Sequence, residues 1–118
     1  MPLLPCVLEN GKKKISTLGL VDSGAMMNVL PHQLGLDLGG VWSDAEAELS
    51  LGSMYVGIPA MPFVARLRIG NLSPVRLVFA WAASNEVRLV LGQANFFMEF
   101  DIHFYRSKSE FEIHPKSK

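Results

Sequence analysis

Short apolar runs, each stopped within a few residues by turn-forming positions, recur along the whole chain. This rhythm constrains the fold more than any other feature, because such runs suit strands and leave little room for helices. Leu3 to Leu8 is apolar and leads into Glu9-Asn10-Gly11-Lys12. Asn-Gly is the strongest short hairpin signal, since both central residues of a type I′ turn need positive φ. Ile15 to Val21 reads as the returning strand, interrupted by Asp22-Ser23-Gly24-Ala25, and Met26 to Leu30 runs to a turn at Pro31. Residues 35 to 45, rich in Gly and Asp, read as a loop, and Ala47 to Leu51 as a strand. Gly57-Ile58-Pro59 marks a turn before Phe63 to Ile69, where Ala65, Leu67 and Ile69 alternate with Arg66 and Arg68. Val75, Leu77, Phe79 and Trp81 alternate in the next run, and Ser84-Asn85-Glu86 leads to Val87 to Leu91. One helix is predicted, Gln93 to Glu99, with Phe96 and Phe100 four apart. Phe100, Ile102 and Phe104 then alternate with Asp101, His103 and Tyr105, and Phe111 and Ile113 close the fold after a turn at Arg106-Ser107-Lys108. The prediction is an all-β chain, a small closed β-barrel or sandwich with one short C-terminal helix.

At 118 residues this fits a single domain, 1–118, with its core at about 3–113. Hydrophobic residues make up 49% and charged residues 19%, enough apolar surface for a packed core. Lysine plus arginine and aspartate plus glutamate both number 11, so a zero net charge offers no footprint for nucleic acid. Cys6 stands alone and cannot form an internal disulfide. The longest uncharged run, Leu49 to Ala65, contains Gly52, Gly57, Pro59 and Pro62 and is too short for a spanning helix. Met-Pro-Leu-Leu-Pro has no basic start before an apolar stretch, so a secretory signal is not expected. These features together predict a cytoplasmic chain without a membrane segment.

The informative segment is Leu18-Gly19-Leu20-Val21-Asp22-Ser23-Gly24-Ala25, an acidic residue at the end of an apolar strand. A carboxylate beside Leu20 and Val21 is partly desolvated, which costs free energy unless a partner compensates it. Ser23 supplies a hydroxyl, and Gly24 permits a tight turn. Taken alone, the tripeptide is an ordinary turn after a strand.

In context, Leu20-Val21-Asp22-Ser23-Gly24-Ala25 resembles the active-site motif of the retropepsin-like aspartic peptidases, two apolar residues followed by Asp-(Thr or Ser)-Gly-Ala. Asn28-Val29-Leu30-Pro31 resembles its continuation. A second family element, two apolar residues and a glycine before a short helix, is matched by Val90-Leu91-Gly92. The stretch Phe96 to Ile102 and the closing Phe111-Glu112-Ile113 are similar to the C-terminal part of bacterial single-domain members. The resemblance implies a barrel of the acid-protease type, an aspartic endopeptidase with Asp22 as catalytic residue, and Ser23, Gly24 and Ala25 as its active-site loop. It also implies a flap over the bound peptide, with Tyr55, Val56, Gly57 and Ile58 as flap and substrate-binding residues and Gly57 near its tip, and no cofactor or metal. Three departures stand out: serine replaces the commoner threonine after the aspartate, the flap region carries Pro59 and Pro62, and Gln93 follows the second glycine.

Aspartic peptidase chemistry needs two carboxylates sharing one proton, one acting as base on a water while the other polarises the scissile carbonyl. The chain has a single Asp-Ser/Thr-Gly, and Asp37, Asp44 and Asp101 lack that setting. A homodimer bringing two Asp22 residues to its twofold axis would supply the pair. Met26, Leu30, Ile58 and Met61 are candidate pocket walls for an extended peptide.

Other constellations carry less. His32, His103 and His114 lack metal-ligand spacing. Cys6 reads as a small buried filler, and Lys12-Lys13-Lys14 as a solvated hairpin tip. Two rival readings remain: a catalytically silent binding or dimerisation module of the same fold, and an unrelated β-barrel adaptor in which Asp22-Ser23-Gly24 is only a turn.

Overall fold

The computed structural model describes residues 2–49, 57–92, 100–105 and 110–115. Among these, the strands are β1 (Leu3–Asn10), β2 (Lys13–Val21), β3 (Asn28–Leu30), β4 (Ala60–Arg68), β5 (Val75–Ala82), β6 (Val90–Leu91), β7 (Phe100–Tyr105) and β8 (Glu110–Pro115). A short helix, α1 (His32–Asp37), and a 3-10 turn at Asp44–Glu46 lie between β3 and β4. Six strands close into a ring in the order β1-β2-β6-β3-β5-β4, with β1 pairing to both β2 and β4. β7 and β8 form a separate antiparallel pair, and Ile113 of β8 packs against the core of the ring. The described residues are thus mostly strand around a closed ring, in keeping with the alternating runs of the sequence. No helix among the described residues is long and apolar enough to cross a membrane.

Alternation places the core. Leu4, Cys6 and Leu8 of β1, Ala65 and Leu67 of β4, and Leu77, Phe79 and Trp81 of β5 are buried. Arg66, Arg76 and Val78 on the same strands are exposed. Each large apolar side chain taken from water contributes about 1.5–3 kcal/mol. Two polar side chains are buried among the described residues, Glu9 and Asn28. Glu9 sits between Lys14 at 3.6 Å and Arg68 at 3.5 Å, which supply the charge that a desolvated carboxylate requires.

Three local expectations change. Asn10 pairs with Lys13, so the hairpin loop is Gly11-Lys12, with Gly11 at φ 61°, and Asn10 is a strand residue. The Asn10 side chain instead donates to the Leu38 carbonyl at 2.8 Å, tying β1 to the chain after α1. The stretch expected as a loop from residue 35 contains the end of α1, despite its glycines. Gly35 is what allows the helix to dock, since a Cβ there would lie 2.2 Å from Trp81 Nε1. That indole N–H donates to the His32 carbonyl at 3.0 Å, and the Gln33 N–H donates to Asn85 Oδ1 at 2.7 Å. Leu49, expected within a strand, makes a single bridge to Ala60. The helix predicted over Gln93 to Glu99 lies outside the described residues.

Candidate active site

β2 ends at Val21, and the chain turns at Asp22. The turn is closed locally. The Ala25 N–H donates to the Asp22 carbonyl at 3.1 Å, and the Gly24 N–H donates to Asp22 Oδ1 at 2.9 Å. An aspartate bonding main chain two residues on is what Asp-Ser-Gly turns do wherever they occur. Asp22 as a residue is half-buried, while Ser23 and Gly24 are exposed.

What sets this turn apart is the strand behind it. β6 lies between β2 and β3, parallel to β2 through Leu20↔Val90 and Val21↔Leu91, and antiparallel to β3 through Val29↔Val90. The Leu20 N–H donates to the Leu89 carbonyl at 2.8 Å, and the Asp22 N–H donates to the Leu91 carbonyl at 3.1 Å. Asp22 is therefore held by the strand that carries Val90 and Leu91, almost 70 residues later in the chain. Gly92 follows directly. A Cβ there would sit 2.6 Å from the Met27 carbonyl oxygen and 2.9 Å from that of Ala25. Only glycine allows the 25–27 main chain to lie this close.

The two sequence motifs thus meet in space: Asp22, Ala25 and Met27 on one side, Leu91 and Gly92 on the other. A small apolar cluster extends the site. Val29, Ala82, Val87 and Val90 are buried together, and Leu20, Ala25, Met27 and Ile58 pack against them. Ile58, expected in the flap, therefore shares one cluster with Ala25 of the Asp22 turn. Gly57, at φ 85°, is exposed beside it. Tyr55 and Val56 lie outside the described residues. Of the expected pocket walls, Leu30 is fully buried and Met61 is 7% exposed, so both belong to the core. Met26, 71% exposed, and the half-buried Ile58 remain at the surface.

Asn28, which opens the stretch after the Asp22 turn, is the further residue at this site. It is fully buried at the start of β3. Its Nδ2 donates to the Val78 carbonyl of β5 at 3.0 Å, and its Oδ1 accepts the Gly92 N–H at 2.9 Å. An amide opening a run of buried apolar residues, Asn28-Val29-Leu30, is the signal that could have singled it out, because a buried polar group needs partners.

His32 and Cys6 have structural settings. Nδ1 of His32 lies 3.2 Å from the Ala82 carbonyl, which can only accept, so Nδ1 carries the proton. Its ring stacks on Trp81 and meets Trp42 edge-on. Burial pushes the Cys6 thiol up to about 11, only partly opposed by a hydrogen bond with the Gly19 main chain, so it stays a thiol near neutral pH. No group of three or more His, Cys, Asp or Glu side chains among the described residues is placed to hold a metal ion. No protein-family model and no curated protein matches the chain.

Proposed function

We propose that this protein is an aspartic endopeptidase of the retropepsin-like type that acts as a homodimer. The observation that carries the reading is the docking of the two motifs. The Leu91 carbonyl holds the Asp22 N–H, and Gly92 lies against the main chain of Ala25 and Met27. A carboxylate on a turn fixed from behind suits a group that must keep its position while handling protons.

In the dimer, two Asp22 carboxylates share one proton, because two like charges at close range do not both ionise cheaply. The ionised one takes a proton from a water whose oxygen attacks the scissile carbonyl carbon. The protonated one donates to the carbonyl oxygen. The tetrahedral species then breaks at its C–N bond, with the amine leaving as it gains a proton. Ser23 and Gly24 form the surface against which the partner's turn and the substrate lie. Ile58 and Gly57 belong to the flap that covers an extended peptide and excludes water. Exposed Met26 and half-buried Ile58 favour apolar side chains beside the cleaved bond.

The test is cleavage of a diverse peptide library at high protein concentration, from acidic to neutral pH, with Asp22→Asn beside the wild type. The expected result is cleavage by the wild type alone. Cleavage retained by a clean Asp22→Asn preparation refutes the site. Absence of cleavage by either, with a dimer present in the same sample, refutes the peptidase reading.

A further inference from the structure

The Leu91–Gly92 peptide unit is held from both sides. Its carbonyl accepts the Asp22 N–H at 3.1 Å, and its N–H donates to Asn28 Oδ1 at 2.9 Å. The carbonyl and N–H of a trans peptide point in opposite directions, so this one plane spans the gap between Asp22 and Asn28. Asn28 is itself fixed, because its Nδ2 donates to Val78 of β5 and its side chain is fully buried. The chain of contacts therefore runs from β5 through Asn28 and the 91–92 peptide to the main chain of Asp22.

We infer that Asn28 is a positioning residue for Asp22, acting through the orientation of the Leu91–Gly92 peptide plane. The inference rests on the proposed peptidase reading for its effect on turnover, and on the hydrogen-bond chain alone for its effect on Asp22. Gly92 is buried, so without Asn28 its N–H has no water to turn to. The plane then rotates to find an acceptor, and the carbonyl that holds Asp22 rotates with it. Both functions of the amide are needed: the oxygen to accept from Gly92, and the N–H to anchor Asn28 on Val78.

This requirement has a distinctive chemical consequence. A neutral aspartic acid at position 28 offers one carbonyl acceptor and one O–H donor, the same pair of functions as the amide. An ionised aspartate offers acceptors only, so it keeps the Gly92 bond and faces the Val78 carbonyl without a donor. Asn28→Asp should therefore match the wild-type arrangement in acid, and once its carboxyl ionises it should keep the Gly92 bond while losing the Val78 anchor. Asn28→Ala should lose both at every pH.

The experiment measures amide hydrogen exchange at Asp22 and Gly92, together with kcat and KM on a peptide that the wild type cleaves. Asn28→Ala, Asn28→Asp and wild type are compared at each pH. In Asn28→Ala, exchange at Asp22 and Gly92 is expected to rise about tenfold to a hundredfold relative to wild type, with amides of β1 and β4 unchanged. The expected kinetic counterpart is a similar loss in kcat with KM within about threefold. Asn28→Asp should match wild type in acid and fall between wild type and Asn28→Ala where its carboxyl is ionised. Unchanged exchange at Asp22 and Gly92 in Asn28→Ala overturns the inference. So does a uniform rise across the ring, or an Asn28→Asp to wild-type ratio that ignores pH. A wild type that cleaves nothing, with the local exchange response intact, refutes the peptidase reading and supports the positioning of Asp22 by Asn28.

Discussion

Gly92→Ala tests the meeting of the two motifs in the plainest way. The added Cβ would lie 2.6 Å from the Met27 carbonyl oxygen, 2.9 Å from the Ala25 oxygen and 2.9 Å from the Met27 carbonyl carbon. All three are main-chain atoms, so no side chain can swing aside. Restoring ordinary contact at 3.4 Å requires a shift of about 0.8 Å at Met27. Overpacking of this kind costs about 1–3 kcal/mol. For a chain of this size that lowers Tm by about 4–12 °C. Because the displaced segment begins at the Asp22 turn, turnover should fall further than stability does. A misplacement near 1 Å can cost about a hundredfold in rate. Thermal unfolding and peptide cleavage on the same sample check both. A Tm within about 1 °C of wild type, with unchanged cleavage, would refute the close packing of Gly92 on residues 25–27 and the role assigned to it.

Two further predictions address the scaffold. Gly35→Ala puts a Cβ 2.2 Å from the indole nitrogen of fully buried Trp81, so α1 should undock, at a cost near the upper end of about 1–3 kcal/mol, read by tryptophan fluorescence during unfolding. Cys6 binds its proton more tightly in the folded chain than its ordinary value of 9.0, so its contribution to stability is full below about pH 9 and is lost as pH rises towards about 11. Cys6→Ala should flatten that alkaline decline in denaturant titrations, and the native thiol should resist alkylation at pH 8.

The ring was legible wherever burial is one-sided. Leu77, Phe79 and Trp81 announce their inward face by alternation, and Ala65 and Leu67 do the same on the paired strand. The same logic fails at α1. Gly35, Gly39 and Gly40 read as breakers, yet Gly35 is there because Trp81 occupies the space a side chain would fill. That constraint is tertiary and leaves no local trace. Asn10-Gly11 correctly marked a hairpin but misplaced its loop by one residue, because the bond from Asn10 to Leu38 keeps Asn10 in the strand. At the site, the Asp22 turn and Val90-Leu91-Gly92 stood out as motifs. Asn28 did not, since its importance lies in two partners, 50 and 64 residues away in the sequence. Leu30 and Met61 illustrate the opposite error, as an apolar residue near a motif can belong to the core instead of a pocket.

The central claim is that one active site draws an Asp22 from each of two chains. The most direct measurement mixes wild type with Asp22→Asn in equal amounts, exchanges the subunits by unfolding and refolding together, and compares cleavage with that of wild type alone at the same total protein concentration. Random pairing leaves about a quarter of the dimers with two aspartates, so the account predicts about a quarter of the activity. Activity of about one half would mean that each chain works alone, and would contradict it.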